Sequence, residues 1–228
     1  MGGEQVAELE GRRTLVYVGG SIAAIKAGDV ITLLRRRGAD TRVAMTASAT
    51  RFITPLSLQS LSGHPVVSDL FREAHGRPAG RGAPLAEGGE AAHGMEHLAL
   101  SAWAELQVAV AASANLIARL ALGLADDAVT ATALACRAPL VIAPAMETAM
   151  WEHPATQGHV ETLRGRGVTF VGPVAGRLAS GREGIGRMAE AAEIVEVAAG
   201  LLQGTPEPPP AIADLPSGLI GYPDAGGE

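Results

Sequence analysis

Short apolar runs alternate with amphipathic segments along most of the chain. The apolar runs are rich in β-branched residues and have the length of buried strands; they occupy 14–18, 41–45, 106–111, 139–143 and 168–171. Apolar residues three or four positions apart indicate helices at 22–37, 52–63, 115–122, 128–135, 155–166 and 190–203. This alternation predicts a doubly wound α/β domain with a parallel sheet and right-handed crossovers.

The same pattern divides the chain into one folded region and three less regular parts. We expect a domain at 14–203, an N-terminal extension at 1–13 and a disordered tail at 204–228. Residues 72–94 contain six glycines and two prolines, and this insert is too long and too poor in large apolar residues for an ordinary connection. It is either a lid over a site or a tolerated surface loop.

Composition narrows the classes of function. The 228 residues are 47% hydrophobic and 18% charged, with a net charge of −6, which argues against nucleic acid or anionic membranes as partners. Cys136 is the only cysteine, so we expect no disulfide and no metal site built on cysteine. The chain shows neither a secretory signal nor an apolar run of membrane-spanning length, which predicts a soluble cytoplasmic protein.

Four loops that follow predicted strands are rich in small and hydroxyl-bearing residues. They are 19–22, 46–50, 112–115 and 144–151. Ligands of doubly wound sheets bind at the carboxyl ends of strands, where the strand order reverses. Each loop alone also fits a tight turn or a helix cap, but their agreement indicates a planar cofactor that bears a phosphate. No acidic residue ends the second strand to hold an NAD ribose, so FMN fits better than a dinucleotide.

Six motifs in order closely resemble the homo-oligomeric flavin-containing cysteine decarboxylases. The motifs are G-S-I-A-A-I-K-A (20–27), M-T-A-S-A-T-R-F-I-T-P-L (45–56), H-L-A-L-S-A-W-A (97–104), A-A-S-A-N-L-I-A-R-L-A-L-G-L-A-D-D (111–127), P-A-M-E-T-A-M-W-E-H-P-A-T-Q (144–157) and G-P-V-A-G-R-L-A-S-G-R-E-G-I-G-R-M (172–188). The family includes phosphopantothenoylcysteine decarboxylases and lantibiotic peptidyl-cysteine decarboxylases. The resemblance covers roughly residues 14–200. It implies a flavodoxin-like three-layer sandwich, assembled as a trimer or dodecamer with FMN between subunits.

Position by position, the resemblance also implies site residues. The residues implied to contact FMN are Gly20, Ser21, Thr46, Ser48, Ser113, Ala114, Asn115, Leu116 and Ala145. His97 falls on the family's catalytic histidine, and imidazole suits proton transfer near neutral pH. The residues implied to contact substrate are Glu147, Met150 and Ser180. The segment 172–188 is a candidate substrate clamp.

Two residues depart from the family pattern. Glu147 stands where the motif P-x-M-N-x-x-M-W has an asparagine that grips the substrate carboxylate. An ionised glutamate would repel that carboxylate, so Glu147 is neutral, points away, accompanies a different mode of substrate binding, or acts as a base. Ser180 stands where phosphopantothenoylcysteine decarboxylases have the cysteine that reduces the enethiol to a thiol. The lantibiotic enzymes lack this cysteine and stop at the enethiol.

The serine at position 180 favours oxidative over redox-neutral chemistry. The resemblance implies that oxidation of the cysteine side chain to a thioaldehyde lets CO2 leave as a delocalised enethiolate forms. We therefore expect FMN-dependent oxidative decarboxylation of a C-terminal peptidyl cysteine to an aminoenethiol, in peptide natural-product biosynthesis. The alternatives are a phosphopantothenoylcysteine decarboxylase of coenzyme A synthesis and a catalytically degenerate flavin-binding regulatory subunit.

Overall fold

The computed structural model describes residues 9–70 and 96–203. The strands in these residues are Arg13–Val18 (β1), Asp40–Met45 (β2), Val66–Val67 (β3), Leu106–Ala112 (β4), Leu140–Pro144 (β5), Thr169–Phe170 (β6), Val174–Arg177 (β7) and Glu183–Arg187 (β8). The helices are Ala27–Arg36 (α1), Pro55–Ser62 (α2), Glu96–Trp103 (α3), Ala114–Leu122 (α4), Ala128–Ala135 (α5), Thr148–Trp151 (α6), Pro154–Gly165 (α7) and Ala191–Gln203 (α8). None of these helices is long and apolar enough to cross a membrane. The expected insert at 72–94 and the tail at 204–228 lie outside the described residues.

The first six strands form one parallel sheet in the order β3-β2-β1-β4-β5-β6. The chain therefore builds outward from β1 to β3 and then restarts at β4 on the other side of β1. Without the two-residue edge strand β3, this is the flavodoxin-like order, which reverses between β1 and β4. Every residue of β4 is buried, as expected for a strand with helices on both faces.

Helices cover both faces of the sheet and enclose two apolar cores. On one face, α1, α2 and α8 contribute buried residues such as Ile31, Leu58 and Val195. On the other, α3, α4, α5 and α7 contribute residues such as Leu100 and Ile117. This arrangement confirms the predicted flavodoxin-like three-layer sandwich.

Two predicted helices begin later than expected. The segment 22–37 starts with a 3-10 turn, Ile22–Lys26, and becomes α-helical only at Ala27. Its apolar spacing was misleading, because Ile22 and Ile25 are 50% and 57% exposed and do not face the core. The segment 52–63 becomes α-helical only at Pro55. This confirms the sequence-based expectation that Thr54 is the N-cap and Pro55 the first helical residue, since Thr54 accepts a hydrogen bond from the Ser57 amide at 3.2 Å.

A β-hairpin, β7–β8, was missing from the sequence-based prediction. The two strands pair antiparallel, with Ala175 opposite Ile185 and Gly176 opposite Gly184. The segment carries glycines at 176, 181, 184 and 186 and lacks large apolar residues at every second position. The usual period-two signal of a strand is therefore absent. β3 and α6 were also missed because they contain only two and four residues.

Part of the expected N-terminal extension packs on the domain. Leu9 is fully buried, and its amide donates to the Arg37 carbonyl oxygen at 3.0 Å. The Gly11 amide donates to the Gly38 carbonyl oxygen at 3.0 Å. Residues 9–12 therefore lie against the turn between α1 and β2.

Candidate cofactor and substrate site

The loops that follow β1 and β2 are in direct contact. A Cβ added at Gly20 would collide with the Cβ of Ser48. The Thr46 amide donates to the Val18 carbonyl oxygen at 3.1 Å. Because only a residue without a side chain permits this approach, Gly20 brings the hydroxyl-rich second loop against the first.

The hydroxyl groups of these two loops have different surroundings. Thr46 is 5% exposed, and its Oγ1 accepts from the Ala49 amide at 3.2 Å. Ser21 Oγ is buried and has no hydrogen-bond partner among the described residues, whereas Ser48 is exposed. A buried hydroxyl without a partner is costly, and a phosphate oxygen would accept its hydrogen bond. The residues present therefore fit the phosphate end of FMN.

The strand order reverses between β1 and β4, and there the backbones approach closely. The Gly19 amide donates to the Val110 carbonyl oxygen at 2.9 Å, and a Cβ at Gly19 would collide with the Ala111 carbonyl oxygen. Ala111 has a φ of 53°, a left-handed conformation that is uncommon for alanine and that concentrates at functional sites. The pairing of β4 with β5 shifts register between Ala109 and Ala112.

The third and fourth loops meet beside the point where β1 and β4 approach each other. Ser113 caps α4 by accepting a hydrogen bond from the Leu116 amide at 3.3 Å. The Ala145 amide donates to the Ala112 carbonyl oxygen at 3.0 Å. The structure thus brings all four predicted loops together at the carboxyl edge of the sheet.

The residues predicted to line the flavin are unequally accessible. Ala114 is half-buried and Asn115 is exposed at the start of α4. Ala145 is 5% exposed and Leu116 is 1% exposed. The Leu116 side chain packs in the core, where its Cδ2 would lie 3.1 Å from a Cβ at Gly19, so this side chain supports the loop from beneath.

The two residues that depart from the family pattern contact each other. Ser180 Oγ donates to Glu147 Oε2 at 3.1 Å, although the residues are 33 positions apart. The hairpin also reaches the fourth loop through its backbone, because the Met146 amide donates to the Gly186 carbonyl oxygen at 2.9 Å. Met150 lies on the adjoining helix α6 and is 47% exposed.

His97 lies in a groove between α3 and α5 rather than in the four loops. The groove has a volume of about 370 Å³ and is lined by Leu70, His97, Leu98, Ala125, Ala131, Leu134 and Ala135. Among the described residues, none of the predicted flavin contacts contributes to this lining. Within one copy of the chain, the structure therefore does not bring His97 together with the cofactor loops.

Residues 3–203 match the family model named Flavoprotein. The chain belongs to the Flavoprotein family. This membership confirms the sequence-based prediction of a flavin-binding protein. A relative, the coenzyme A biosynthesis bifunctional protein CoaBC of Escherichia coli strain K12, is 43% identical over 190 residues, which are 83% of this chain and 43% of the relative. The chain thus spans less than half the length of that relative.

Two solved structures share the fold of this Flavoprotein family member. The FMN-dependent cysteine decarboxylase SpaF is 34% identical, with a TM-score of 0.66 over 84% of this chain and 96% of that one. A cysteine-to-serine mutant of PPC decarboxylase, complexed with pantothenoylaminoethenethiol, is 30% identical. Its TM-score is 0.71 over 85% of this chain and 100% of that one.

Tyr17 is a buried titratable residue of this flavoprotein that lies within the core. Burial raises the pKa of Tyr17 well above its usual range, and its hydroxyl donates to Gln107 Oε1 at 2.8 Å. It therefore stays protonated near neutral pH.

Within residues 9–70 and 96–203, no group of three or more histidine, cysteine, aspartate or glutamate residues is placed to hold a metal ion.

Sequence reasoning missed the residues that dock the hairpin on the site. Met188 is 1% exposed, and its Sδ accepts a hydrogen bond from the Ala111 amide at 3.3 Å. Thr148 Oγ1 is buried without a partner among the described residues and would collide with a Cβ at Gly184. The available signal was Gly184-Ile185-Gly186, since glycines two apart on a strand leave one face open to a neighbouring backbone.

Proposed function

We propose that this protein is an FMN-dependent decarboxylase that acts on a cysteine-derived carboxylate, with phosphopantothenoylcysteine as its substrate. The observation that supports this most directly is the contact among the four loops, together with the buried hydroxyl of Ser21, which has no hydrogen-bond partner within residues 9–70 and 96–203. The 43% identity to bifunctional CoaBC and the likeness to PPC decarboxylase support this substrate. They favour it over the peptidyl cysteine that the sequence alone led us to expect.

The chain's own residues hold the cofactor and move protons. Gly20, Ser21 and Ser48 would take the phosphate, while Ser113 and Asn115 offer polar groups to the rest of the flavin. When bound, FMN supplies the two-electron oxidation of the cysteine side chain. Loss of CO2 then leaves its electron pair on the C=S group, so that an enethiolate forms. His97 is the residue proposed to transfer the proton.

Ser180 predicts that the reaction stops at the enethiol. A serine hydroxyl is a much weaker acid than a cysteine thiol, whose pKa is about 8.5. It therefore cannot replace the thiol in the final reduction that the family resemblance assigns to this position. The solved cysteine-to-serine mutant of PPC decarboxylase is complexed with pantothenoylaminoethenethiol, which supports this expectation.

Ser180 also favours a second candidate substrate, a peptide with a C-terminal cysteine. Peptidyl-cysteine decarboxylases release the enethiol as their product and do not need the missing cysteine. The similarity to SpaF, an FMN-dependent cysteine decarboxylase, is consistent with this alternative. Both candidates share the oxidative step and differ in the group attached to the cysteine nitrogen.

We further propose that the site is completed by a second copy of the chain. The segments after β1 and β2 carry exposed apolar residues beside the flavin loops; this flavin-side patch consists of Ile22, Ile25, Phe52, Leu56 and Leu61. Helices α3, α4 and α5 and the connection between α4 and α5 carry a groove-side patch of Leu98, Leu122, Leu124 and Leu134. Contact between unlike patches of two copies would close a ring and bring His97 of one copy to the flavin of its neighbour.

An anaerobic single-turnover assay tests the proposed function. The full chain is loaded with FMN and mixed with phosphopantothenoylcysteine or with a peptide ending in cysteine. The masses of the products are measured by mass spectrometry. We expect the preferred substrate to lose about 46 mass units, corresponding to CO2 and two hydrogens, while the flavin absorbance bleaches. His97→Asn should retain FMN and lose turnover.

Ser180→Cys sharpens the same assay. With phosphopantothenoylcysteine, the restored thiol should allow the final reduction, so that the loss becomes about 44 mass units and the flavin returns to its oxidised form. Thr162→Cys adds a thiol at an exposed site on α7 and should behave like the wild type. A yellow protein that is inert to both substrates would contradict the proposal and favour a regulatory flavoprotein.

A further inference from the structure

The β7–β8 hairpin lies with its backbone directly on the fourth loop. The Met146 amide donates to the Gly186 carbonyl oxygen at 2.9 Å. A Cβ at Gly186 would collide with the Met146 carbonyl oxygen, and a Cβ at Gly184 would collide with Thr148 Oγ1. These two glycines therefore give the hairpin a face without side chains, which fits against residues 146–148.

Ser180 lies at the turn that joins the two hairpin strands. Two backbone hydrogen bonds close the turn. The Leu178 amide donates to the Arg182 carbonyl oxygen at 2.7 Å, and the Gly181 amide donates to the Leu178 carbonyl oxygen at 2.9 Å. Ser180 Oγ accepts from the Arg182 amide at 3.4 Å and donates to Glu147 Oε2 at 3.1 Å. One exposed hydroxyl thus connects the turn to the fourth loop.

We propose that Glu147 and Ser180 form a latch that holds the hairpin tip on the fourth loop, so that Glu147 is a positioning residue. A two-stranded hairpin is marginally stable on its own, so a few contacts decide whether it stays docked. A carboxylate acceptor makes a stronger hydrogen bond than a neutral one. The latch occupies Glu147 Oε2 with the hydroxyl proton of Ser180. This role differs from gripping a substrate carboxylate and from acting as a base.

The latch rests on the proposed function only for its consequence in turnover. If the fourth loop and the hairpin enclose the substrate, opening the tip lets the substrate leave faster. Loss of the latch then raises KM more than it lowers kcat. The hydrogen bond between Ser180 and Glu147 forms within the protein without substrate, so its effect on the hairpin can be measured in the absence of substrate.

Hydrogen exchange on the full chain tests the latch directly. Deuterium uptake of the peptides that cover residues 174–187 is compared in the wild type, Glu147→Ala, Ser180→Ala, the double variant and Glu147→Gln. We expect about three- to tenfold faster exchange in each alanine variant, the range that one net hydrogen bond produces. The double variant should exchange no faster than either single one, because both remove the same contact.

Glu147→Gln separates a hydrogen bond from a charge effect. The amide oxygen of glutamine can still accept from Ser180 Oγ, but as a neutral acceptor it makes a weaker hydrogen bond than the carboxylate. We therefore expect exchange between that of the wild type and that of Glu147→Ala, and a KM below that of Glu147→Ala. Glu190→Ala is the matched control, because it removes an exposed ion pair with Arg187 at the foot of the hairpin, 3.4 Å across. It should leave exchange at the tip unchanged.

Three results would overturn the latch. Exchange at the wild-type rate in both alanine variants would mean that the contact does not hold the tip. Additive effects in the double variant would mean that the two residues act separately, and a Glu147→Gln variant as open as Glu147→Ala would assign the effect to charge. If neither candidate substrate is turned over, the proposed function fails while the exchange data still decide on the latch.

Discussion

At the scale of single residues, the site depends on where side chains are small. Gly19 and Gly20 could be assigned from sequence, because two glycines followed by a serine come directly after an apolar strand. Ala111 could not, because an alanine with a φ of 53° has no signature in the sequence. The contact between Glu147 and Ser180 was equally hidden, although each residue was conspicuous as a departure from the family motif. Only the fold brings together positions 33 residues apart.

Replacing Gly20 by alanine tests the contact between the first two loops. The new Cβ would meet the Cβ of Ser48, so one loop must move. We expect the free energy of unfolding to fall by about 1–3 kcal/mol, as in other overpacked sites. FMN affinity should fall with it, since the moved loops carry Ser21 and Ser48. Urea denaturation and titration with FMN measure the two effects.

Gly158→Ala provides the control for that substitution. Gly158 lies inside α7, and a Cβ there meets no atom within 4 Å. Alanine is the better helix former, so the control should gain about 0.5–1 kcal/mol of stability and keep the FMN affinity of the wild type. If Gly20→Ala also kept both stability and affinity, the close approach of the loops would not matter to the site.

At the scale of elements, strand and helix signals depended on apolar side chains. The long apolar runs gave β1, β2, β4 and β5 to within one or two residues, since burial on both faces demands such runs. The β7–β8 hairpin escaped because its strands use glycine to approach the fourth loop. The 3-10 turn at Ile22–Lys26 escaped for the opposite reason, because its isoleucines resemble a helical core face yet are exposed.

The start of α5 is held by a charged cap, and this cap supports one wall of the His97 groove. Asp127 Oδ1 accepts from the Thr130 amide at 2.8 Å, and the Asp127 amide donates to Thr130 Oγ1 at 3.3 Å. Arg119 Nη1 donates to Asp127 Oδ2 at 2.7 Å. Asp127→Ala removes the cap and leaves Arg119 with one partner fewer. We expect a loss of about 1–2 kcal/mol in urea denaturation.

Asp126→Asn serves as the comparison, since Asp126 is exposed and also binds Arg119. The hydrogen bond from Arg119 lowers the pKa of Asp126. A carboxyl group with a lowered pKa stabilises the fold above its unfolded pKa of about 3.9 and loses that effect as the pH falls. The difference in stability between wild type and Asp126→Asn should therefore be smaller than that of Asp127→Ala and shrink in acid. A larger loss of stability in Asp126→Asn than in Asp127→Ala would contradict the assignment of Asp127 as the residue that caps α5.

At the scale of the whole molecule, topology explains why the four loops could be grouped from sequence. Parallel strands with right-handed crossovers place every carboxyl end at one edge of the sheet, so loops far apart in sequence become neighbours. His97 could not be placed in this way, because its motif follows the 72–94 insert and its groove lies between α3 and α5. The family resemblance puts this histidine beside the flavin, which agrees with the groove only if two copies share one site.

Assembly through unlike patches predicts a specific result when two variants are mixed. Leu134→Asp places a charge in the groove-side patch, and Leu56→Asp places one in the flavin-side patch; the wild-type residues are 61% and 69% exposed. Each change should leave the fold intact and reduce the particle mass, measured by light scattering, to that of the 23.2 kDa chain. Ala192→Asp, at an exposed position of α8 outside both patches, should assemble like the wild type.

The mixture then distinguishes the kinds of interface. Leu134→Asp keeps an intact flavin-side patch and Leu56→Asp keeps an intact groove-side patch, so one contact between the two variants can still form. Because each partner's remaining patch is disabled, a heterologous interface predicts a dimer in the mixture and monomers in the separate solutions. A two-fold interface of like patches predicts instead that one variant alone retains the wild-type assembly. That outcome would separate His97 from the neighbouring flavin and contradict the shared site.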